Sequence, residues 1–207
     1  MNHSMIKARV PAFVCVLVLC GILALGLWPF HRRKNHVTWL RNESGLCFGR
    51  DGTILSSGKF QIAHSQDEAS GSLEIWLQPR HTSVSSTLLT FSTPENPLQL
   101  SLHQYHSYLI LQRKIQSERR TATIGIEGVF RQIKPVFVTI TSGAHETAMY
   151  VDGVLARRFG QFRLGKDFTG QLVIGTSPVE RDSWQGELQG LAFYHSRAHC
   201  GTGSSSL

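Results

Sequence analysis

Apolar and polar residues alternate at period two along most of the chain from Val37 onward, in short runs broken by turn-forming residues. The clearest run is Ser72-Leu73-Glu74-Ile75-Trp76-Leu77-Gln78. In an extended strand, Leu73, Ile75 and Leu77 share one face, and Glu74, Trp76 and Gln78 share the other. Pro79 closes the run, because proline has no N–H to donate to a ladder. Comparable runs cover Thr53 to Ser56, Lys59 to His64, Thr87 to Ser92, Leu98 to Leu102, Tyr108 to Gln112 and Thr121 to Ile126. Further on come Val136 to Thr141, Thr147 to Val151, Val154 to Phe159, Gln171 to Ile174 and Glu187 to Tyr194. No window after Val37 supports a long amphipathic helix. The best candidate, Ser107 to Ile115, is β-branched at its end and lacks caps. Asp152-Gly153 stands between two of the runs and predicts a two-residue hairpin turn, since both residues can take a positive φ. Asp152 therefore reads as a turn residue rather than as a calcium ligand, which would need several converging oxygens.

The N-terminal segment breaks this pattern. Val10 to Trp28, VPAFVCVLVLCGILALGLW, holds no charged residue. As a helix it would span roughly 28 Å, close to a bilayer's hydrocarbon core. Pro11 sits near the helix start, where its missing N–H does no harm, and Trp28 and Phe30 stand where interfacial aromatics are expected. A cleaved signal peptide is the rival reading: Lys7 and Arg9 form a basic flank, and Ala24-Leu25-Gly26 is a tolerable cleavage site. The length of the run favours an uncleaved anchor. The expected organisation is a basic flank (1–9), a transmembrane helix (10–30), a basic linker (31–36), a β domain (37–200) and a disordered tail (201–207).

Charge changes little once it is located. The chain of 207 residues carries 21 Lys and Arg against 14 Asp and Glu. Five of the basic residues (Lys7, Arg9, Arg32, Arg33, Lys34) and none of the acidic ones precede residue 35, which leaves the rest close to +2. The basic excess flanks the apolar segment, and no Lys/Arg run of the kind that grips nucleic acid is present. With 19 Gly and 7 Pro, the composition suits many short strands joined by tight turns.

Several segments together resemble the laminin-G-like, concanavalin A-like lectin/glucanase jelly roll. Ser72 to Pro79 resembles its early strand. Val136-Phe137-Val138-Thr139-Ile140 followed by Met149-Tyr150-Val151-Asp152-Gly153-Val154-Leu155 resembles its central strand and hairpin. Leu172-Val173-Ile174-Gly175 with Trp184-Gln185-Gly186-Glu187 through Tyr194 resembles its closing strands. The resemblance implies an all-β fold of two antiparallel sheets packed as a sandwich, with the first and last strands neighbours. It also resembles a bacterial variety in which the domain follows a membrane segment and is sometimes attached to a VanZ-like membrane region; no second membrane region of that kind is seen here.

Glucanases of this fold use closely spaced carboxylates on one strand. The matching strand here has Glu74 alone, and Glu187 is isolated, so no catalytic residue is expected. His103-Gln104-Tyr105-His106-Ser107-Tyr108 is the densest polar-aromatic segment. It reads either as a sugar-stacking or metal-binding loop or as a strand edge and turn, and nothing nearby has metal-ligand spacing. Trp184, just after Asp182-Ser183, could stack on a sugar, or pack where the last strand enters the sandwich. Trp39 and Trp76 read as core or sheet-face residues. Trp184, Asp182, Tyr105 and His106 are thus the ligand-binding candidates. No cofactor motif occurs, and calcium has no ligand cluster to support it.

Cys15 and Cys20 lie in the apolar segment. Cys47 and Cys200 fall near the two ends of the domain, which the resemblance places side by side, so a disulfide between them or two unrelated thiols both fit. The flanking charges favour a cytoplasmic domain. The resemblance and the disulfide reading favour an extracytoplasmic one, on the periplasmic or cell-surface side, and that placement is expected. The expected function is a membrane-anchored, non-catalytic binding module for a glycan or envelope component. A structural or protein-interaction sandwich is the alternative and a divergent glycoside hydrolase the weaker one.

Overall fold

The computed structural model describes residues 3–27, 34–41, 43–60, 70–115, 120–164, 167–179 and 182–196. One helix, α1 (His3–Leu27), precedes thirteen strands among the described residues. They are β1 (Val37–Trp39), β2 (Leu46–Phe48), β3 (Ile54–Phe60), β4 (Ser70–Pro79), β5 (Ser85–Ser92), β6 (Leu100–Tyr105) and β7 (Tyr108–Ile115). Then follow β8 (Arg120–Ile126), β9 (Val136–Ser142), β10 (Thr147–Val151), β11 (Val154–Phe159), β12 (Gly170–Ile174) and β13 (Gly186–Ser196). By backbone contacts the chain divides into two compact units, Met1–Lys34 and Asn35–Leu207.

The strands form two antiparallel sheets. The seven-stranded sheet has the order β1-β2-β13-β4-β9-β10-β11, and the six-stranded sheet the order β3-β12-β5-β6-β7-β8. The second strand, β2, lies between β1 and the last strand, β13, with Cys47 opposite Glu187. In β4 the predicted alternation holds residue by residue: Leu73, Ile75 and Leu77 are buried, and Trp76 is exposed. Leu100 and Leu102 of β6, Leu109 and Leu111 of β7, and Val136, Val138 and Ile140 of β9 fill the same core. Each such aliphatic side chain contributes about 1.5–3 kcal/mol when fully buried. At one end of the core, Phe91 meets Phe60, Phe168 and Phe193 in edge-on contacts with centroids 5.3–5.8 Å apart. Asp152 and Gly153 both take positive φ, 51° and 79°, as the hairpin turn requires.

The structure corrects one sequence expectation, narrows a second and leaves a third unsupported. Ile54–Ser56 and Lys59–Phe60 do not belong to two strands but to the one strand β3, where Lys59 pairs with Gln171 and Leu55 with Val173; Gln61 to His64 of the second run lie outside the described residues. Two residues of β3 are therefore surplus at Ser56–Gly58, and they form a bulge rather than a turn. The Ser56 hydroxyl accepts the Leu172 N–H at 3.0 Å, supplying an acceptor that the bulge takes out of the ladder. Second, of the core and sheet-face readings of Trp39 the sheet face holds: it is 78% exposed, on a short edge strand. Third, α1 occupies the segment read as a membrane span, but among the described residues no helix is long and apolar enough to cross a membrane. The expected tail, 201–207, and His31 to Arg33 of the expected linker lie outside the described residues.

The β11–β12 connection closes one end of the sandwich by tucking Phe162, Leu164 and Phe168 into the core. Its backbone is held by side chains: Thr147 donates to the Phe162 carbonyl at 2.6 Å, and the Leu164 N–H donates to the Ser142 hydroxyl at 2.8 Å. Gln99 donates to the carbonyls of Asp167 and Thr169. Arg113 approaches the Asp167 carboxylate at 3.5 Å. Burial raises the Asp167 carboxyl to about 6, and the opposing pull of Arg113 does not cancel it. A carboxyl whose folded pKa lies above its unfolded value of 3.8 stabilises the fold fully below about pH 4. That contribution is lost as pH rises through about 6. Asp167→Asn is therefore expected to flatten the fall in melting temperature between pH 5 and pH 7.5; an unchanged slope would show that Asp167 is not the group responsible.

Candidate functional site

The candidate residues converge on one end of the six-stranded sheet, but on opposite sides of it. β6 places Leu100, Leu102 and Gln104 on its inner face, and Ser101, His103 and Tyr105 on its outer face. β5 lies beside it, with Thr87 opposite His103 and Thr90 opposite Ser101. The loop from Ile174 to Gly186 folds over this end. It is tied by an isolated bridge between Thr176 and Ser183 and by the Trp184 N–H to the Gly175 carbonyl at 2.8 Å.

Trp184 is inside. It is 1% exposed and packs on Phe48 with ring centroids 5.9 Å apart. Its indole N–H donates to Gln104 Oε1 at 3.0 Å. The Gln104 amide in turn donates to the His81 carbonyl at 2.6 Å and the His106 carbonyl at 3.3 Å. The reading of Trp184 as a sugar platform is therefore corrected: a ring with no open face cannot stack on a ligand. The ring fills its space so tightly that a Cβ on Gly186 would lie 2.4 Å from it, and one on Gly175 2.6 Å from Phe48.

Asp182, two residues earlier, is outside. Its carboxylate accepts from the Thr87 hydroxyl at 3.1 and 3.3 Å. Thr87 Oγ1 also lies 3.2 Å from His103 Nδ1, and His103 Nε2 lies 2.7 Å from the Ser101 hydroxyl. A carboxylate can only accept, so the Thr87 proton points at Asp182. His103 Nδ1–H then donates to Thr87, and Nε2 bonds the Ser101 hydroxyl. The chain Ser101–His103–Thr87–Asp182 is thus a directed polar ladder on the outer face. Beside it the Thr90 hydroxyl is buried without a hydrogen-bond partner, which costs about 1–3 kcal/mol. Tyr105, 52% exposed, continues the same face. His106 occupies the β6–β7 turn at φ 52°, its ring edge-on to Tyr105 with centroids 4.9 Å apart.

Ser101, Thr87 and Thr90 were missed by sequence reasoning. Only His103 had a signal, sharing a face with Tyr105. Cys47 carries a free thiol, and Cys200 lies outside the described residues. Among the described residues, no group of three or more His, Cys, Asp or Glu could hold a metal ion. Glu74 and Glu187 share the outer face of the other sheet, but Glu187 pairs with Gln78, four residues along β4 from Glu74. That offset is roughly 13 Å along the strand, beyond the about 5–10 Å that glycosidic acid and nucleophile need.

A family profile described as the concanavalin A-like lectin/glucanases superfamily (Laminin_G_3) matches residues 51–198. No curated protein matches. Among solved structures, the IT-sialidase CBM40 of Ruminococcus gnavus, bound to α2,3-sialyllactose, superposes with TM-score 0.51 at 13% identity, over 61% of this chain and 75% of that one. The receptor binding domain of botulinum neurotoxin D superposes with TM-score 0.61 at 12% identity, over 80% of this chain and 44% of that one. The binding domain of botulinum neurotoxin DC, solved with rat synaptotagmin II, superposes with TM-score 0.54 at 15% identity, over 78% and 42%. This chain thus spans less than half of either toxin domain. At these identities the likeness is one of fold.

The Trp184–Gln104 bond is buried and joins the loop to the sheet. Trp184→Ala is expected to cost about 3–5 kcal/mol, and Gln104→Leu about 1–3 kcal/mol through the unsatisfied indole N–H and two carbonyls. Urea unfolding of both variants would measure this. A wild-type midpoint for Trp184→Ala would show that the ring does not hold the loop.

Proposed function

Because the chain belongs to the concanavalin A-like lectin/glucanases superfamily, we propose that it is a membrane-tethered, non-catalytic binding module for glycans on the extracytoplasmic side. The observation that carries this reading is the outer face of the six-stranded sheet, where exposed Tyr105 stands two residues along β6 from His103, which Thr87 links to the Asp182 carboxylate. A pyranose needs this combination: an aromatic face for its C–H groups and charged or polar acceptors and donors for its hydroxyls. The CBM40 neighbour holds a sialylated trisaccharide, which supports the same class of ligand. A protein ligand is the second reading, favoured by the toxin domain solved with synaptotagmin II.

The tether is read from the uncharged run Val10 to Trp28. Phe13, Val14, Leu17, Val18, Ile22 and Leu23 of α1 are all exposed and apolar. An apolar surface all round a helix favours lipid or a protein core over water, which supports a tether, while the length of the span rests on the uncharged run alone. The extracytoplasmic placement sets the family resemblance above the flanking Lys and Arg residues, because that charge rule has exceptions.

A glycan array probed with the detergent-solubilised chain tests the binding site. Tyr105→Ala and Asp182→Asn are each expected to lower the signal of bound glycans about tenfold, equivalent to about 1.4 kcal/mol. Signals untouched by both would remove the site from consideration. Placement is tested with a membrane-impermeant maleimide on intact cells. Cys47, whose thiol is free, is expected to label from outside without reduction; labelling only after lysis would place the domain in the cytoplasm.

A further inference from the structure

The outer face of the seven-stranded sheet carries a second cluster that the site above does not use. β4 sends Glu74, Trp76 and Gln78 outward. Register sets Gly190 and Phe137 on either side of Trp76, and Ala192 and Thr139 on either side of Glu74. Tyr194 follows Ala192 on the same face of β13, opposite Ser72. Trp76 is 48% exposed, Tyr194 55%, and Phe137 is also open. Gly190 presents no side chain to Trp76. Even a Cβ there would lie 3.7 Å from the Trp76 Cβ, so one flank of the indole is bare backbone.

These aromatics do not form an apolar patch, because a carboxylate stands among them. Register sets Tyr194 diagonally from Glu74 on this face, and the negative charge of the carboxylate holds the phenol above its usual range. Glu187 lies further along the same face, opposite Gln78. A lipid surface or an apolar protein face pressed onto Trp76 would have to strip water from Glu74 and leave it unpaired, which is unfavourable. An acidic ligand would be repelled by both carboxylates. A neutral saccharide meets both demands: a sugar ring lies on the indole, and its hydroxyls donate to the carboxylate.

We propose that Trp76, Glu74 and Tyr194 form a binding site for a neutral oligosaccharide on the seven-stranded sheet, separate from the Tyr105–Asp182 face. Two sites on opposite sheets would let one tethered domain bridge two glycan chains or grip one polymer with avidity.

The test is an array of neutral and acidic glycans, probed with the full chain in detergent and with its Trp76→Ala, Glu74→Gln and Tyr105→Ala variants. Neutral glycans are expected to be retained by wild type. Trp76→Ala and Glu74→Gln are each expected to lose them at least tenfold, with melting temperatures unchanged. The proposal is overturned if wild type holds no neutral glycan, or if neutral binding survives Trp76→Ala and Glu74→Gln. It is overturned equally if Trp76→Ala instead abolishes adhesion to phosphatidylcholine vesicles or self-association, which would assign the face to lipid or to a second copy. Loss of binding only in Tyr105→Ala would uphold the first site and sink the second.

Discussion

One buried hydrogen bond, from the indole of Trp184 to the carboxamide of Gln104, organises the functional end of the sandwich. A large aromatic with a single N–H can enter a core only if that donor is met. Gln104 meets it and spends its own amide on the carbonyls of His81 and His106. The ring thereby joins the loop before β13, strand β6 and the turn that follows β6. It also dictates where glycine must stand. Gly186 and Gly175 line the Trp184–Phe48 pair so closely that any side chain there would collide with it. With Trp184 drawn inward, the chain two residues earlier passes over the outer face, and Asp182 reaches Thr87.

Strand pleating then separates scaffold from surface. Gln104 faces in and holds the loop; its neighbours His103 and Tyr105 face out, His103 bonded to Thr87 and Ser101 and Tyr105 exposed. The same rule acts in β4, where Leu73, Ile75 and Leu77 build the core while Glu74 and Trp76 are left on the opposite surface. The two outer faces differ in chemistry. One carries a hydroxyl–imidazole–carboxylate ladder beside a tyrosine; the other carries aromatics around a carboxylate on nearly flat backbone. The far end of the sandwich is closed by different means, with phenylalanines and side-chain bonds to the Phe162–Asp167 backbone, so the functional end does not have to supply closure.

Most strands could be read from the chain because their alternation is long enough to register. β4 and the Asp152-Gly153 hairpin are read nearly to the residue. β1 and β2 were missed because three residues hold little more than one period. β3 was split because Ser57-Gly58 carries turn residues, yet the paired strand β12 absorbs them as a bulge. At the site, Asp182 and Tyr105 were visible as polar or aromatic residues in polar segments. Thr87 and Ser101 were not, because a threonine or serine in an apolar strand looks like filler until its partner strand is known.

The sequence by itself determined the all-β class, the inward face of each long strand and the turn at Asp152-Gly153, since these follow from periodicity and local φ preferences. Pairing alone decided the rest. Trp184 became a core residue, not a platform, because an acceptor 80 positions away lay within reach of its indole. Asp182 met Thr87 across 95 positions of sequence. Glu74 and Tyr194 became neighbours only when the last strand docked against β4. Such contacts depend on sheet order and register, and no local pattern encodes those.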